Sequence, residues 1–274
     1  MNVSVQVSFD AAVPDGPGAS LVRWFRTART GLYRGLVEAE AGSGGGVDSE
    51  AHIVPDIDDL VRRFPRIGKT WPQFEEELTT FPWGAQLVFL TQGEEPEVLG
   101  RASSYHVLRD GSIWQASALT KVNSPDGAAS CTAVVDFLHA ALDGSNPLYG
   151  HIEWDNFDEH TNLDTVLRRK PRTSLREGRQ FLRGYAWVTV CPAELAARLG
   201  GAEALEDSGT FHRVLPLRAG GVLLQASATM DGYTDQVMWR VFETLAPVLP
   251  PGEPSPDPAH PYMRFVPRDA ATVR

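Results

Sequence analysis

The first residues alternate. Val3, Val5, Val7 and Phe9 are apolar, and Ser4, Gln6 and Ser8 between them are polar. A period of two predicts a strand with one face in a core. After the turn residues Pro14-Asp15-Gly16-Pro17-Gly18 the period lengthens. Leu21, Trp24, Phe25, Ala28, Leu32, Leu36 and Ala39 fall on one helical face behind a capping Ser20. Gly42 to Gly46 reads as a loop, and proline-rich connections around Pro65 and from Pro72 to Pro82 frame a short helix near Phe74 to Leu78. Strand patterns follow at Gln86 to Leu90, Ser104 to Leu108 and Ser112 to Ser117, the last two joined by Arg109-Asp110-Gly111 as a hairpin. A helix from Ala129 to Leu142 comes next, with Cys131, Val134, Val135, Leu138 and Leu142 at core-facing spacing.

The same order then returns. A strand from Tyr185 to Val190 leads to a helix from Ala193 to Leu199 that stops at Gly200-Gly201. A hairpin then runs from Phe211 to Leu215, turns at Arg218 to Gly221, and returns through Val222 to Ala228, before a helix from Tyr233 to Leu249. Gln115-Ala-Ser-Ala118 and Gln225-Ala-Ser-Ala228 occupy equivalent places, and Tyr105-His106 and Phe211-His212 open the two hairpins. This order predicts an α+β protein of two related halves, antiparallel sheets carrying helices on one face, as a pseudo-duplication would produce. The halves are residues 1–150 and 151–250, sharing one continuous sheet or abutting. Residues 251–274 are a proline-rich tail, extended and either draped or mobile. Trp187, Leu199, Leu223, Phe242 and Leu245 take inward phases and are expected to be buried together.

Charge narrows the function. The 274 residues carry 25 Lys and Arg against 35 Asp and Glu, a net charge of −10, so the surface repels phosphate backbones and general nucleic-acid binding is not expected. No stretch approaches the length of apolar sequence that a membrane helix needs, and the opening strand lacks the basic leader and apolar run of a signal peptide, so the expectation is a cytoplasmic protein. Two cysteines, Cys131 and Cys191, make neither a disulfide framework nor a four-thiolate metal site. Gly68-Lys69-Thr70 resembles the end of a phosphate loop, but Arg63 stands where the pattern needs glycine. Neither a G-x-S-x-G elbow nor an H-E-x-x-H helix occurs.

The segment His151 to His160 concentrates the remaining chemistry. On a strand, alternation puts His151, Glu153 and Asp155 on one face and Ile152 and Trp154 on the other. One imidazole and two carboxylates then converge as a cation site would require, with Asp158, Glu159 and His160 as further ligands. Read instead as a solvated acidic edge, Glu153, Trp154, Asp155, Phe157, Asp158 and Glu159 form a partner-binding surface. Their carboxylates suit a basic protein, the aromatics serve as anchors, and no cofactor is required. Downstream, Arg168, Arg169, Lys170, Arg172, Arg176, Arg179 and Arg183 face only Glu177, as a phosphate-binding run or an internally paired strip. Cys191 beside Pro192 is either a small buried hydrophobe or, with His106 or His212 near it, a nucleophile.

Leu182-Arg-Gly-Tyr-Ala-Trp-Val-Thr189, Ala197-Arg-Leu-Gly-Gly201 and Gly220-Gly-Val-Leu-Leu-Gln-Ala226 follow one another in the C-terminal third. Together they resemble the bacterial family of type VI secretion immunity-like proteins, with its G-x-x-W-L/V-T strand, R-L-G-G helix end and G-G-L-L-I/L-Q-A strand. The resemblance implies a cytoplasmic protein that binds and neutralises a cognate toxin. The alternatives are a metal-dependent or cysteine enzyme, and a structural subunit of a bacterial assembly with the tail as docking strap.

Overall fold

The computed structural model describes residues 2–10, 16–42, 46–56, 68–121, 127–154, 160–261 and 263–273. Ser43 to Gly45 of the glycine loop, the connection around Pro65, and Asp155, Phe157, Asp158 and Glu159 lie outside the described residues. Among the described residues there are nine strands: β1 (Asn2–Asp10), β2 (Val47–Val54), β3 (Gly84–Thr91), β4 (Val98–His106), β5 (Ile113–Lys121), β6 (Tyr149–Trp154), β7 (Val188–Cys191), β8 (Arg213–Pro216) and β9 (Val222–Gln225). They form one continuous sheet in the order β2-β3-β4-β5-β1-β6-β7-β9-β8, antiparallel at every pairing.

β1 sits centrally because both of its edges are taken, by β5 and by β6. Its Val3, Val5, Val7 and Phe9 enter a first core, and Ser4, Gln6 and Ser8 are buried on the opposite face. The first core is closed by α1 (Pro17–Thr27), which continues through a π-turn over Ala28–Leu32 into α2 (Arg34–Ala41), and by α3 (Trp71–Leu78) and α4 (Ala128–Leu142). α1 begins three residues before the expected cap. Pro17 presets the backbone of the first turn, and Ser20 is buried inside the helix.

The helices of the C-terminal half lie on the other face. They are α5 (Asn162–Val166), α6 (Pro171–Arg176), α7 (Ala193–Arg198), α8 (Gly201–Asp207) and α9 (Asp235–Leu245). Leu195 of α7, Leu205 of α8 and Met238, Val241, Phe242 and Leu245 of α9 build a second core over Tyr149, Cys191, Val222 and Leu224. The fold is thus α+β, each half keeping its main helices on one face, and the two faces are opposite. Trp187 and Leu223 therefore enter the first core while Phe242 and Leu245 enter the second, and Leu199 is only partly buried; the five are not buried together as their phases predicted.

The two Gln-Ala-Ser-Ala segments are not equivalent either. Gln115 to Ala118 lies within β5, whereas β9 ends at Gln225. There the chain turns: the Gln225 amide donates to the carbonyls of Ser227 (2.9 Å) and Ala228 (3.2 Å), and the Trp187 indole N–H donates to Ser227 (2.9 Å). These bonds satisfy the chain locally and replace a continued ladder. The proline-rich tail is draped. Ser255 N–H donates to Val166 O at 2.9 Å, and Val266 is fully buried in the second core. Among the described residues no helix is long and apolar enough to cross a membrane.

Candidate functional site

β6 pairs with β1 as far as Trp154 but with β7 only from Gly150 to Ile152. Glu153 and Trp154 therefore run past the end of β7, and the sheet is open beside them. Four segments surround that opening: His160 to Thr165 around the start of α5, Tyr185 to Trp187 before β7, Met230 to Met238 entering α9, and Ala259, His260, Pro261, Met263 and Arg264 of the tail. They leave a pocket of about 490 Å³. Its walls are aromatic and thioether, with Trp154, Trp187, Tyr185, Tyr233, Met230 and Met238, and its polar lining includes Glu153, His160, His260 and Arg264.

Alternation along β6 puts Tyr149, His151 and Glu153 on one side, as period two requires. His151 is buried, its ring centroid 5.3 Å from that of Tyr149, and its Nε2 lies 3.1 Å from Glu153 Oε1. On the other side Ile152 is buried in the first core and Trp154, half-buried, packs against it. Burial pushes the Tyr149 and Tyr233 hydroxyls far above the usual phenol range, and the Glu153 charge adds to both shifts. Tyr185 is pushed up to about 12 by burial, opposed by the Val266 N–H that donates to its oxygen at 2.8 Å. All three phenols stay protonated at neutral pH. Among the described residues the buried Tyr233 hydroxyl has no hydrogen-bond partner. On the tail side, Arg264 holds Asp235 at 2.8 Å with its guanidinium 5.3 Å from the Tyr233 ring, and His260 holds Asp257 at 3.0 Å.

A buried ionic knot fixes the segment leading into this site. Asp164 Oδ2 accepts from Arg183 Nη2 and from Ser174 Oγ, both at 2.8 Å, and Thr161 Oγ1 donates to the Arg183 carbonyl at 2.7 Å. Other members of the basic run are also paired internally. Arg169 meets Glu177 at 2.7 Å, and Arg179 meets Asp10 at 2.9 Å and Glu194 at 3.0 Å. Cys191, the last residue of β7, is fully buried in the second core, and burial pushes its thiol up to about 12, which keeps it a protonated, poor nucleophile at neutral pH. Among the described residues no group of three His, Cys, Asp or Glu side chains could hold a metal ion. Of the six expected partner-binding residues, the structure places Glu153 and Trp154 at the pocket, and the other four lie outside the described residues. The sequence reading passed over Tyr233, Met230 and Arg264. Their signal was weak: an aromatic beside Gly232, and one arginine among the prolines of the tail.

No protein-family model matches the chain, and no curated protein matches it. Among solved structures the chain is similar to the Pseudomonas aeruginosa T6SS protein PA0821, with a TM-score of 0.57 at 13% sequence identity. The likeness covers 93% of this chain and 75% of that one. It is a likeness of fold. At 93% of the chain it extends beyond the C-terminal third that carries the sequence motifs.

Proposed function

We propose that this chain is a cytoplasmic binding protein of a type VI secretion setting, an immunity-like protein that captures and neutralises a cognate toxin with a basic surface. The observation that carries the reading is the fold likeness, over 93% of the chain, to a protein described as a T6SS protein. The motifs around Trp187, Gly200-Gly201 and Gly220-Gly221 support it, and so does the net charge of −10, which would steer a basic partner to this molecule. The binding face is the end of β6 and the acidic stretch after it: Glu153 and Trp154 beside the pocket, then Asp155, Phe157, Asp158 and Glu159. The cysteine-enzyme alternative loses its ground in the buried, protonated Cys191 thiol. The test is coexpression with the product of the adjacent gene, followed by pull-down and growth rescue. A toxic neighbour that binds and is neutralised supports the reading; a neighbour that neither binds nor poisons removes it.

A further inference from the structure

The polar groups on the walls of the pocket beside β6 are engaged within the chain. Glu153 Oε1 lies 3.1 Å from His151 Nε2, Arg264 Nη2 lies 2.8 Å from Asp235 Oδ1, and His260 Nδ1 lies 3.0 Å from Asp257 Oδ2. His160 also has a partner. Asn162 donates to the Arg264 carbonyl and Thr165 to the Thr161 carbonyl. The Tyr185 oxygen accepts the Val266 N–H, and the Tyr233 oxygen is buried in the wall, out of an occupant's reach. An occupant therefore meets mainly carbon and sulfur: the rings of Trp154, Tyr185, Trp187 and Tyr233 and the thioethers of Met230 and Met238. The volume of about 490 Å³ falls within the range of small-molecule sites.

We infer that this pocket is a small-molecule site for an uncharged, fused aromatic compound, held among the rings and thioethers of its walls. The inference goes beyond toxin capture and does not depend on it. Charge of either sign is selected against: an ionised group would give up its water on entering, and would gain a counter-charge only by breaking one of the pairs that Glu153, His260 and Arg264 already make. Aromatic character is selected for. Offset and edge contacts between rings add to the gain from burial, methionine sulfur is attracted to ring edges, and its unbranched side chain adapts to the shape of the guest. Size favours a free compound over a partner's side chain. A cavity of about 150 Å³ takes one benzene, so a single aromatic side chain would leave much of this pocket unfilled, and about two or three fused rings would occupy it.

The test titrates the full chain by calorimetry with compounds that share one carbon skeleton: 2-naphthol, its saturated form decahydro-2-naphthol, 2-naphthoate and 2-naphthylmethylamine. 2-Naphthol should bind saturably at one site, about fivefold more tightly than decahydro-2-naphthol and about tenfold or more above the two charged compounds. Simple partitioning into an apolar surface would favour the saturated compound, so the order separates the two cases. In Trp154→Ala the affinity for 2-naphthol should fall about tenfold. Trp154 also packs against the first core, so Ala259→Trp, which narrows the pocket from an exposed position of the tail, should weaken 2-naphthol to a similar extent with the melting temperature unchanged. The absence of saturable 2-naphthol binding, equal or tighter binding of the saturated or of either charged compound, or an affinity that neither variant alters overturns the inference. So does tighter binding of acetyl-tryptophan-amide than of 2-naphthol, which would make the pocket an anchor site for a partner's indole. The selectivity is measured first in the unaltered protein, so a poorly folding variant does not remove the test.

Discussion

Asp164 has no solvent exposure, and its carboxylate is held by Arg183, Ser174 and, at 3.4 Å, Arg169. Removing one member of such a pair strands a buried charge, which is costlier than the pair is worth. Asp164→Ala should therefore lower stability by about 3–5 kcal/mol in urea unfolding. Arg176→Ala breaks only the contact with Asp110, both side chains more than half exposed, and should leave the midpoint unchanged. Cys191 makes a pH prediction. Its thiol is raised by burial from an ordinary 9.0 to about 12, so above pH 9 the unfolded chain releases a proton that the folded chain retains. The associated stability is fully present below pH 9 and is lost as pH rises towards 12. Unfolding free energy measured across that window should fall less steeply in Cys191→Ala, and the native thiol should resist labelling at pH 8 until the protein is unfolded.

Elements that obey one period were legible. β1 and α4 begin and end within a residue of their patterns, because each presents one core face and a contrasting face, whereas β5 starts one residue after its pattern and runs four residues past Ser117 to Lys121. β2 was missed although Val47, Ser49, Ala51 and Ile53 alternate with Asp48, Glu50 and His52; the alternation starts directly after the glycine run and its small residues blur the contrast. β7 and β9 are buried at every position, Thr189 and Gln225 included, so no solvated face marks which side the second set of helices takes, and their opposite placement went unread. The pocket is assembled from five segments spread over more than a hundred residues, and no local spacing encodes such a meeting. Packing between elements is also specific at single positions. A Cβ added at Gly100 of β4 would lie 2.7 Å from Cε1 of the buried Tyr33, whose hydroxyl joins β4 to β5 through the carbonyls of Arg101 (2.7 Å) and Leu119 (2.9 Å). Gly100→Ala should cost about 1–3 kcal/mol by overpacking. Gly31→Ala, in the π-turn with nothing within 4 Å, should leave the melting temperature unchanged or raise it.

The tail and the charge belong to the whole molecule. Residues after Pro250 complete the second core, where Val266 is fully buried and Asp269 Oδ1 accepts from Gly252 N and Ala271 N, each at 2.9 Å. Val266→Ala should therefore cost about 2 kcal/mol in thermal unfolding, whereas a merely draped strap would tolerate it. Long-range charge acts differently from such contacts. With a net charge of −10, the chain would attract the basic partner proposed for it before the surfaces touch, an attraction screened over about 10 Å at 0.1 M salt. Raising sodium chloride from about 50 to 500 mM should slow association with the adjacent gene product by about tenfold or more in stopped-flow or surface-binding measurements, while the dissociation rate stays within about twofold. The separation arises because exposed charges guide the encounter, and contacts sheltered from ions hold the complex once formed. A dissociation rate that climbs with salt as steeply as association slows would place the dominant charges at the solvated rim, and Trp154 would then contribute little to holding the partner.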